Sequence, residues 1–584
     1  MNQSTSMPAA PAMSRGAQSK RETDMAQVDR AVQAVREKAQ EFARLPITRK
    51  IALLRSVMAG VERVAADWVR SGCLAKGLDF ESSSSGEEWL AGPAVTMRNA
   101  RLLEESLTAV ARDGKPPLGT GQRVRADGRL EIDVFPARLE ESALFAGFRA
   151  YCLMLPGVDL KAARERQAAF FGLHDPAGIV ELVLGAGNVS AIPPTDVLHK
   201  MFAEGHVCVL KMNPVNEWVG PHLEQALAPL ISAGYLRVVY GGAAVGTHLV
   251  NHPQVDEVHI TGSDKTHDII VWGPPGPERE RRMAAGEPLL KKRITSELGN
   301  VSPVAIVPGE YTERELEFQA QNVASMVVNN GSFNCNAGKV IITGKSWKQR
   351  AAFLGKLRHI LATIPVREAY YPGAFDRYES LVGGRANVER FGTGTRTALA
   401  WAFVPDLDPD DNGEMLYQVE PFCGVVSETA LGSADPVEFL AAAATFMNER
   451  LWGTLNAAIV ISPRDEAQPA VAAALDRAIV DLRYGTVAVN HWPGLGYGLI
   501  TPAWGGHPSA RPENVQSGIG WVHNTFLLAG IEKSVVRGPI KLWPKPAWFH
   551  DNRQAHAIGR QLVAFERSPG WLKVPGIAFA ALRG

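Results

Sequence analysis

The sequence has little that would mark a secreted, membrane-spanning or nucleic-acid-binding chain. Its cysteines number only five: Cys73, Cys152, Cys208, Cys335 and Cys423. They are odd in number, far apart and include no C-x-x-C pair, so neither a disulfide framework nor a zinc knuckle is indicated, and no metal is expected. Charge of one sign is also missing. Lys and Arg total 61, as do Asp and Glu, and 21% of residues are charged. That balance argues against coating a nucleic acid or binding an acidic membrane surface. No run approaches the about 18 apolar residues that a spanning helix needs. The opening MNQSTSMPAAPAMSRGAQSKRE lacks the apolar core of a signal peptide. A soluble protein of the reducing cytoplasm is expected, without nucleic-acid partners or membrane insertion.

What is present is enough chain for two or more domains, at 584 residues. Residues 1–24 are rich in Ser, Ala and Gln and are expected to be disordered. From Met25 the pattern turns helical: Val28, Val32, Val35 and Ala39 recur at helical spacing, then Ile51, Leu54, Val57 and Val61. Residues 113–136 read as a loop followed by a strand. From Gly178 strands and helices alternate, with strands over 179–184, 207–211, 236–240 and 257–261. Helices are expected near 195–204, 217–232 and 243–251. A second series follows from Pro303, with strands over 304–307 and 340–343 and helices over 313–329 and 346–363. This alternation predicts an α/β fold with doubly wound parallel sheets. The stretch 366–413, rich in Gly, Pro, Asp and aromatics, reads as a surface insertion.

Two residues carry the chemistry. Glu297 lies in Ser296-Glu297-Leu298-Gly299-Asn300, and Cys335 in Asn330-Gly331-Ser332-Phe333-Asn334-Cys335-Asn336-Ala337. Each sits in a Gly/Asn-bearing turn that can present a reactive side chain. A thiol can add to a carbonyl carbon, and a nearby carboxylate can take a proton from it or from water. Alone, Glu297 would read as a solvated or capping carboxylate, and Cys335 as a small buried hydrophobe. Gly185-Ala186-Gly187-Asn188 follows a strand but lacks the third Gly of a dinucleotide turn, so it reads equally as a tight structural turn.

In order and spacing these motifs resemble the aldehyde dehydrogenase superfamily from about Gly178 to Gly506. The resemblance implies helices and a split nucleotide-binding domain over 25–295, a catalytic domain over 296–480, a return to the nucleotide-binding domain with a C-terminal extension over 481–584, and an oligomerisation arm, of which the strand near 130–136 is a candidate part. It implies Cys335 as nucleophile and Glu297 as general base. Where the family has an oxyanion-holding Asn, the position falls on Thr195, whose hydroxyl would supply one donor in place of an amide; Asn188 falls earlier. Lys211 matches the Lys that contacts the adenosine ribose, but the ribose-reading Glu three residues on is Pro214 here, so NADP remains as open as NAD. Gly242, Gly246, His252-Pro253, Gly262 and Ser263 match the pyrophosphate-holding series, with His267 in place of a further Gly. Glu420 and Phe422 match the residues that bind the nicotinamide ribose and ring. Phe333 replaces a family Gln, while Asn330 matches a family Asn. Tyr484-Gly485-Thr486-Val487-Ala488-Val489-Asn490 and Pro502-Ala503-Trp504-Gly505-Gly506 match the closing motifs.

The resemblance implies oxidation of an aldehyde by NAD or NADP through a Cys335 thioester that Glu297 helps to hydrolyse, in a homodimer or homotetramer. Two other readings stay open. Gly187-Asn188-Val189 is similar to the acyl-CoA reductase branch, in which an acyl substrate would be reduced to an aldehyde by NAD(P)H. The departures at Thr195, Pro214, His267 and Phe333 fit a degenerate member with a binding role.

Overall fold

The computed structural model describes residues 20–584. Two sheets organise it. The first has five parallel strands in the spatial order Leu236–Val239, Val207–Lys211, Val180–Leu184, Glu257–Gly262 and Arg293–Leu298. Its strands are almost unbroken apolar runs because both faces are covered; Val207, Cys208, Val209 and Leu210 are all fully buried. The chain steps outward from Val180–Leu184 through two strands, then reverses and lays Glu257–Gly262 on the other side of the first. Such a reversal opens a crevice at the C-terminal ends of the strands, where ligands bind in open α/β sheets.

Two N-terminal helices help to cover this sheet. Met25–Ala43 buries Val28, Val32, Val35 and Ala39, and Ile47–Ala75 buries Ile51, Leu54, Val57 and Val61, the stripes expected from the sequence. Of the stretch expected to be disordered, residues 1–19 lie outside the described residues. Residues 20–24 are anchored instead: the Lys20 N–H donates to Glu217 Oε1 at 2.7 Å and the Thr23 N–H to the Tyr240 carbonyl at 3.2 Å. Asp24 then caps the first helix by accepting from the Gln27 N–H.

The second sheet has eleven strands. Its parallel centre runs Thr486–Val489, Asn456–Val460, Pro303–Ile306, Val340–Gly344, Val425–Leu431 and Trp401–Leu407. Beyond Thr486–Val489 comes Ile531–Arg537, and then three antiparallel strands, Arg149–Met154, Leu130–Phe135 and Gly121–Val124. The strand expected near 130–136 is therefore the middle of this antiparallel end.

Two expectations are corrected. Residues 366–413 are not a surface insertion: Trp401–Leu407 is a buried sheet strand and Ala374–Val382 a helix packed beneath it. Turn residues around 383–397 and 408–413 give the stretch its loop-like composition and mask the strand between them. Residues 481–584, expected to return to the nucleotide-binding unit, do not rejoin the five-stranded sheet, because Thr486–Val489 and Ile531–Arg537 extend the eleven-stranded one.

What does return is the helix Ala555–Arg567. It packs on Gly86–Trp89 and Val95–Asp113 at close range: a Cβ added to Gly559 would sit 2.5 Å from Trp89 Cβ. Its Glu566, buried, accepts from Arg98 Nη1 at 2.8 Å and Arg101 Nε at 2.9 Å, and Glu141 Oε1 lies 2.7 Å from Arg98 Nη1. Removing one partner of a buried ion pair leaves uncompensated charge. Glu566→Ala is accordingly expected to lose about 3–5 kcal/mol of stability, read by chemical denaturation. A loss within the usual surface-mutation range would show that the cluster does not hold this helix.

Candidate active site

Cys335 and Glu297 come from different sheets and meet between them. Glu297 is near the end of Arg293–Leu298, the edge strand of the five-stranded sheet. Cys335 follows the helix Glu313–Val328 and a tight turn, just before the strand Val340–Gly344 of the larger sheet. Cys335 Sγ lies 3.6 Å from Glu297 Oε1. The thiol is partly exposed, and the carboxyl is buried.

The turn before Cys335 is strained. Asn330, Gly331 and Ser332 have φ of 53°, 64° and 66°. For a Ser this region costs about 1–3 kcal/mol and persists only where surroundings impose it. Lys76 Nζ donates to Asn330 Oδ1 and the Asn188 carbonyl, both at 3.0 Å, and pairs with Glu88 at 2.6 Å. Asn330 Nδ2 donates to the carbonyls of Asn188 and Phe333. Lys339 Nζ donates to the Ser332 carbonyl and hydroxyl, both at 3.1 Å. The Cys335 carbonyl accepts from Ser302 Oγ at 2.8 Å and Asn456 Nδ2 at 3.1 Å, and Asn300 Oδ1 accepts from both of these donors.

The electrostatics are those of a thiol at rest. Burial pushes the Glu297 carboxyl up to about 8; Asp196 and Glu420 add to the shift. The Trp504 indole N–H points toward it without completing a hydrogen bond, and Glu297 Oε2 has no partner. Burial, with the carboxylates of Glu297 and Glu420, holds the Cys335 thiol well above its ordinary range. A standing thiolate of lowered pKa, the usual mark of a reactive cysteine, is absent.

Thr195, expected to donate to the oxyanion, has its hydroxyl engaged elsewhere. It is fully buried, and its hydroxyl lies 2.9 Å from the Ala191 carbonyl, 3.1 Å from that of Ile192 and 3.1 Å from Tyr497 Oη. A helical Thr bonds back to its own preceding turn in this way, so it offers no free donor toward Cys335. Asn188, the earlier candidate, is in the Cys335 neighbourhood: its Nδ2 donates to the Phe333 carbonyl at 3.1 Å.

The remaining positions divide into two groups. Glu420 and Phe422 lie with the Cys335–Glu297 pair. A Cβ added to Gly299 would sit 1.8 Å from Glu420 Oε2, so only Gly permits this approach. Burial raises the Glu420 carboxyl to about 7 against the pull of Lys339. Phe422 packs edge-on to Tyr371 at 5.0 Å, and Tyr371 stacks on Phe333 at 5.9 Å. Tyr370 and Tyr371, hidden inside the supposed insertion, were not singled out in the sequence; their signal was an aromatic pair in a Gly/Pro-rich stretch. Lys76, 254 residues from Asn330 in sequence, gave no signal at all.

Lys211, Gly242, Gly246, Gly262 and Ser263 lie along the C-terminal edge of the five-stranded sheet. Lys211 is buried and pushed down to about 8. Glu217 pulls it the other way. The helix Ala243–Asn251 starts without a side-chain cap, and Cβ atoms added at Gly242 and Gly246 would meet nothing. Open glycines beside uncapped N–H groups at the C-terminal ends of parallel strands fit a dinucleotide's pyrophosphate. Ser263 caps the next helix by accepting from the Thr266 N–H, and His267 is buried beneath it. One trio with metal-ligand chemistry, Glu181, His206 and Glu257, occurs among the described residues. Its Glu181 is already bonded to His206 at 3.0 Å and faces Lys200.

Residues 140–374 match the family model "Aldehyde dehydrogenase family". An aldehyde dehydrogenase of Enchytraeus buchholzi is 26% identical over 175 residues, 29% of this chain and 31% of the relative. The chain thus spans about a third of the length of that curated relative. Among solved structures, an NADP-dependent glyceraldehyde-3-phosphate dehydrogenase of Bacillus halodurans, complexed with NADP, aligns with a TM-score of 0.58 at 17% identity, covering 88% of this chain and 92% of that one. The indole-3-acetaldehyde dehydrogenase AldA of P. syringae, complexed with NAD⁺ and IAA, aligns at 0.59 and 20% identity, covering 88% and 89%. The fold is that of the aldehyde dehydrogenases, and the family resemblance is borne out over the matched segment, which holds the motifs from Gly185 to Cys335.

Because the Glu297 pKa is raised, the folded protein binds one more proton than the unfolded chain between about pH 4.5 and 8. This group's contribution to stability therefore falls as pH rises through that window. Infrared difference spectra of wild type against Glu297→Gln are expected to carry a protonated-carboxyl band at about pH 7 that fades above about pH 9. A band already absent at the lower pH would show the carboxyl to be ionised.

Proposed function

We propose that this chain oxidises an aldehyde to a carboxylic acid with NAD or NADP. The observation that carries the reading is the 3.6 Å approach of Cys335 Sγ to Glu297 Oε1, with the second carboxyl oxygen unpartnered. The ionised form of Glu297 takes the thiol proton as Cys335 Sγ bonds to the aldehyde carbon. The Cys335 backbone N–H faces the resulting oxyanion. When bound, the nicotinamide supplies a hydride acceptor, and loss of hydride from the former aldehyde carbon leaves a Cys335 thioester. The proton on Glu297 is released to solvent, and the carboxylate then takes one from water as the water oxygen attacks the thioester. The C–S bond breaks, and the thiol regains a proton as the acid leaves. Lys211, Gly242, Gly246, Gly262 and Ser263 would hold the dinucleotide, and Glu420 and Phe422 its nicotinamide end.

The raised Cys335 thiol supports transfer of its proton to Glu297 during attack, rather than a preformed thiolate. Retention of a carboxylate next to the thiol favours hydrolysis over the acyl-CoA reductase direction, which needs no water-activating base.

Absorbance at 340 nm tests the reading, with an aldehyde panel, NAD⁺ or NADP⁺, and CoA present or omitted. CoA-independent turnover is expected; a signal only with CoA or acyl-CoA would install the reductase reading, and silence in both directions the non-catalytic one. Cys335→Ala is expected to abolish turnover. Glu297→Gln is expected to lower steady-state turnover by about 10²–10⁴-fold while the thioester accumulates. Undiminished rates in either variant would refute the assignment. For wild type, kcat/KM is expected to rise with pH to a plateau, with its midpoint near about 8, where Glu297 ionises. A midpoint near an ordinary carboxylate value would remove Glu297 from that role.

A further inference from the structure

Behind Cys335 lies a cavity of about 810 Å³, within the range of ligand sites. Its inner end is formed by Cys335, Trp492 and Tyr497, and its outer wall includes Ile558, Leu562 and Ile577. Those last three belong to the helices Ala555–Arg567 and Val574–Leu582, part of the C-terminal stretch for which the sequence suggested no role. Between the two ends the wall is largely aliphatic and aromatic, with Leu495, Leu499, Phe145 and Phe148 among its residues. Most charged groups that reach it are paired: Arg98 with Glu141 and Glu566, Lys76 with Glu88, Arg367 with Glu87 and Lys545 with Asp551; Glu368 lies at the exposed end. A small aldehyde would leave most of this volume to water that finds few polar partners.

Two details keep the space open. Gly498, on the short helix Gly494–Gly498, lines the cavity, and a Cβ built there would meet nothing within 4 Å. Its backbone is not in the left-handed region, so no conformational requirement explains the glycine. At the outer end, Ala578 lines the cavity with a side chain of a single carbon, and Trp543, 81% exposed, offers an apolar lip. The outer wall is fixed in place by the buried Glu566 cluster and by the Gly559–Trp89 contact, so the space is built into the fold.

We propose that the two C-terminal helices form the outer wall of an acyl-chain channel, and that the substrate is a long-chain aliphatic aldehyde. This rests on the aldehyde-oxidation reading for its chemistry, but the channel itself can be tested without turnover. The chain would lie along the cavity with its carbonyl carbon at Cys335 Sγ and its methyl end toward Ile577. Burial of each methylene stabilises bound ground state and transition state alike, so the gain appears in KM and kcat/KM more than in kcat.

The test uses the full-length protein, n-alkanals from about two to sixteen carbons, and dodecanoate as a product-like probe titrated by calorimetry without cofactor. For wild type, kcat/KM is expected to climb about threefold to fourfold per methylene until the cavity is filled. Dodecanoate is expected to bind wild type and to bind Gly498→Phe at least tenfold more weakly. Ala578→Trp, on an exposed face, serves if the first variant melts early; it is expected to lower the ratio of long-chain to short-chain kcat/KM. A flat chain-length profile, or dodecanoate binding unchanged in both variants, would overturn the channel while leaving aldehyde oxidation intact. Dodecanoate binding that is lost in Gly498→Phe, with no aldehyde oxidised, would uphold the channel and remove the dehydrogenase reading. Failure of wild type to bind dodecanoate would overturn the proposal outright.

Discussion

The two hydrogen bonds that Ser302 and Asn456 give to the Cys335 carbonyl are the constraint on which the site geometry depends. Both donors sit at the edge of the parallel sheet core, and both are oriented by one amide oxygen, Asn300 Oδ1. Asn300 in turn follows Glu297 by three residues. The segment that carries the base thus also fixes the backbone that carries the nucleophile. Such coupling holds two groups from separate sheets at a working distance with little freedom for either side to drift.

Around that anchor the protein places more negative potential than a resting thiolate would tolerate. Glu297, Glu420 and Asp196 share a desolvated region whose buried cation is Lys339. Burial resolves the conflict by keeping the Glu297 and Glu420 carboxyls partly protonated and the thiol neutral. The consequence is a site that stores protons, with reactivity appearing only when a proton is moved between neighbours. The strained Asn330–Ser332 turn belongs to the same arrangement, since Lys76 and Lys339 hold it from opposite sides.

Much of this was legible in the sequence where the signal was local. The helical stripes of Val28 to Ala39, the first four strands of the five-stranded sheet, and the Glu297–Cys335 pair all rest on short-range periodicity or motif order, whereas Arg293–Leu298, read as a turn at Glu297, is a strand. The misses share a different origin. Thr195 was chosen by position along the chain, but its hydroxyl is taken by the preceding helical turn, a competition invisible to motif spacing. Trp401–Leu407 was hidden by its turn-rich flanks. Lys76 and the Glu566 cluster act across hundreds of residues, and only the folded chain brings their partners near. The long segment 481–584 was misassigned because strand pairing is non-local: nothing in Ile531–Arg537 itself says which edge it will join.

That last strand has a consequence for how the molecule comes into being. Ile531–Arg537 lies between Thr486–Val489 and Arg149–Met154, and is the last sheet strand to be synthesised. Until it emerges, Arg149–Met154 has one unpaired flank, and the hairpin arm has no body to join. An exposed apolar edge of that kind invites pairing with other chains. Newborn copies therefore carry a vulnerable period as long as the translation of nearly the whole catalytic region.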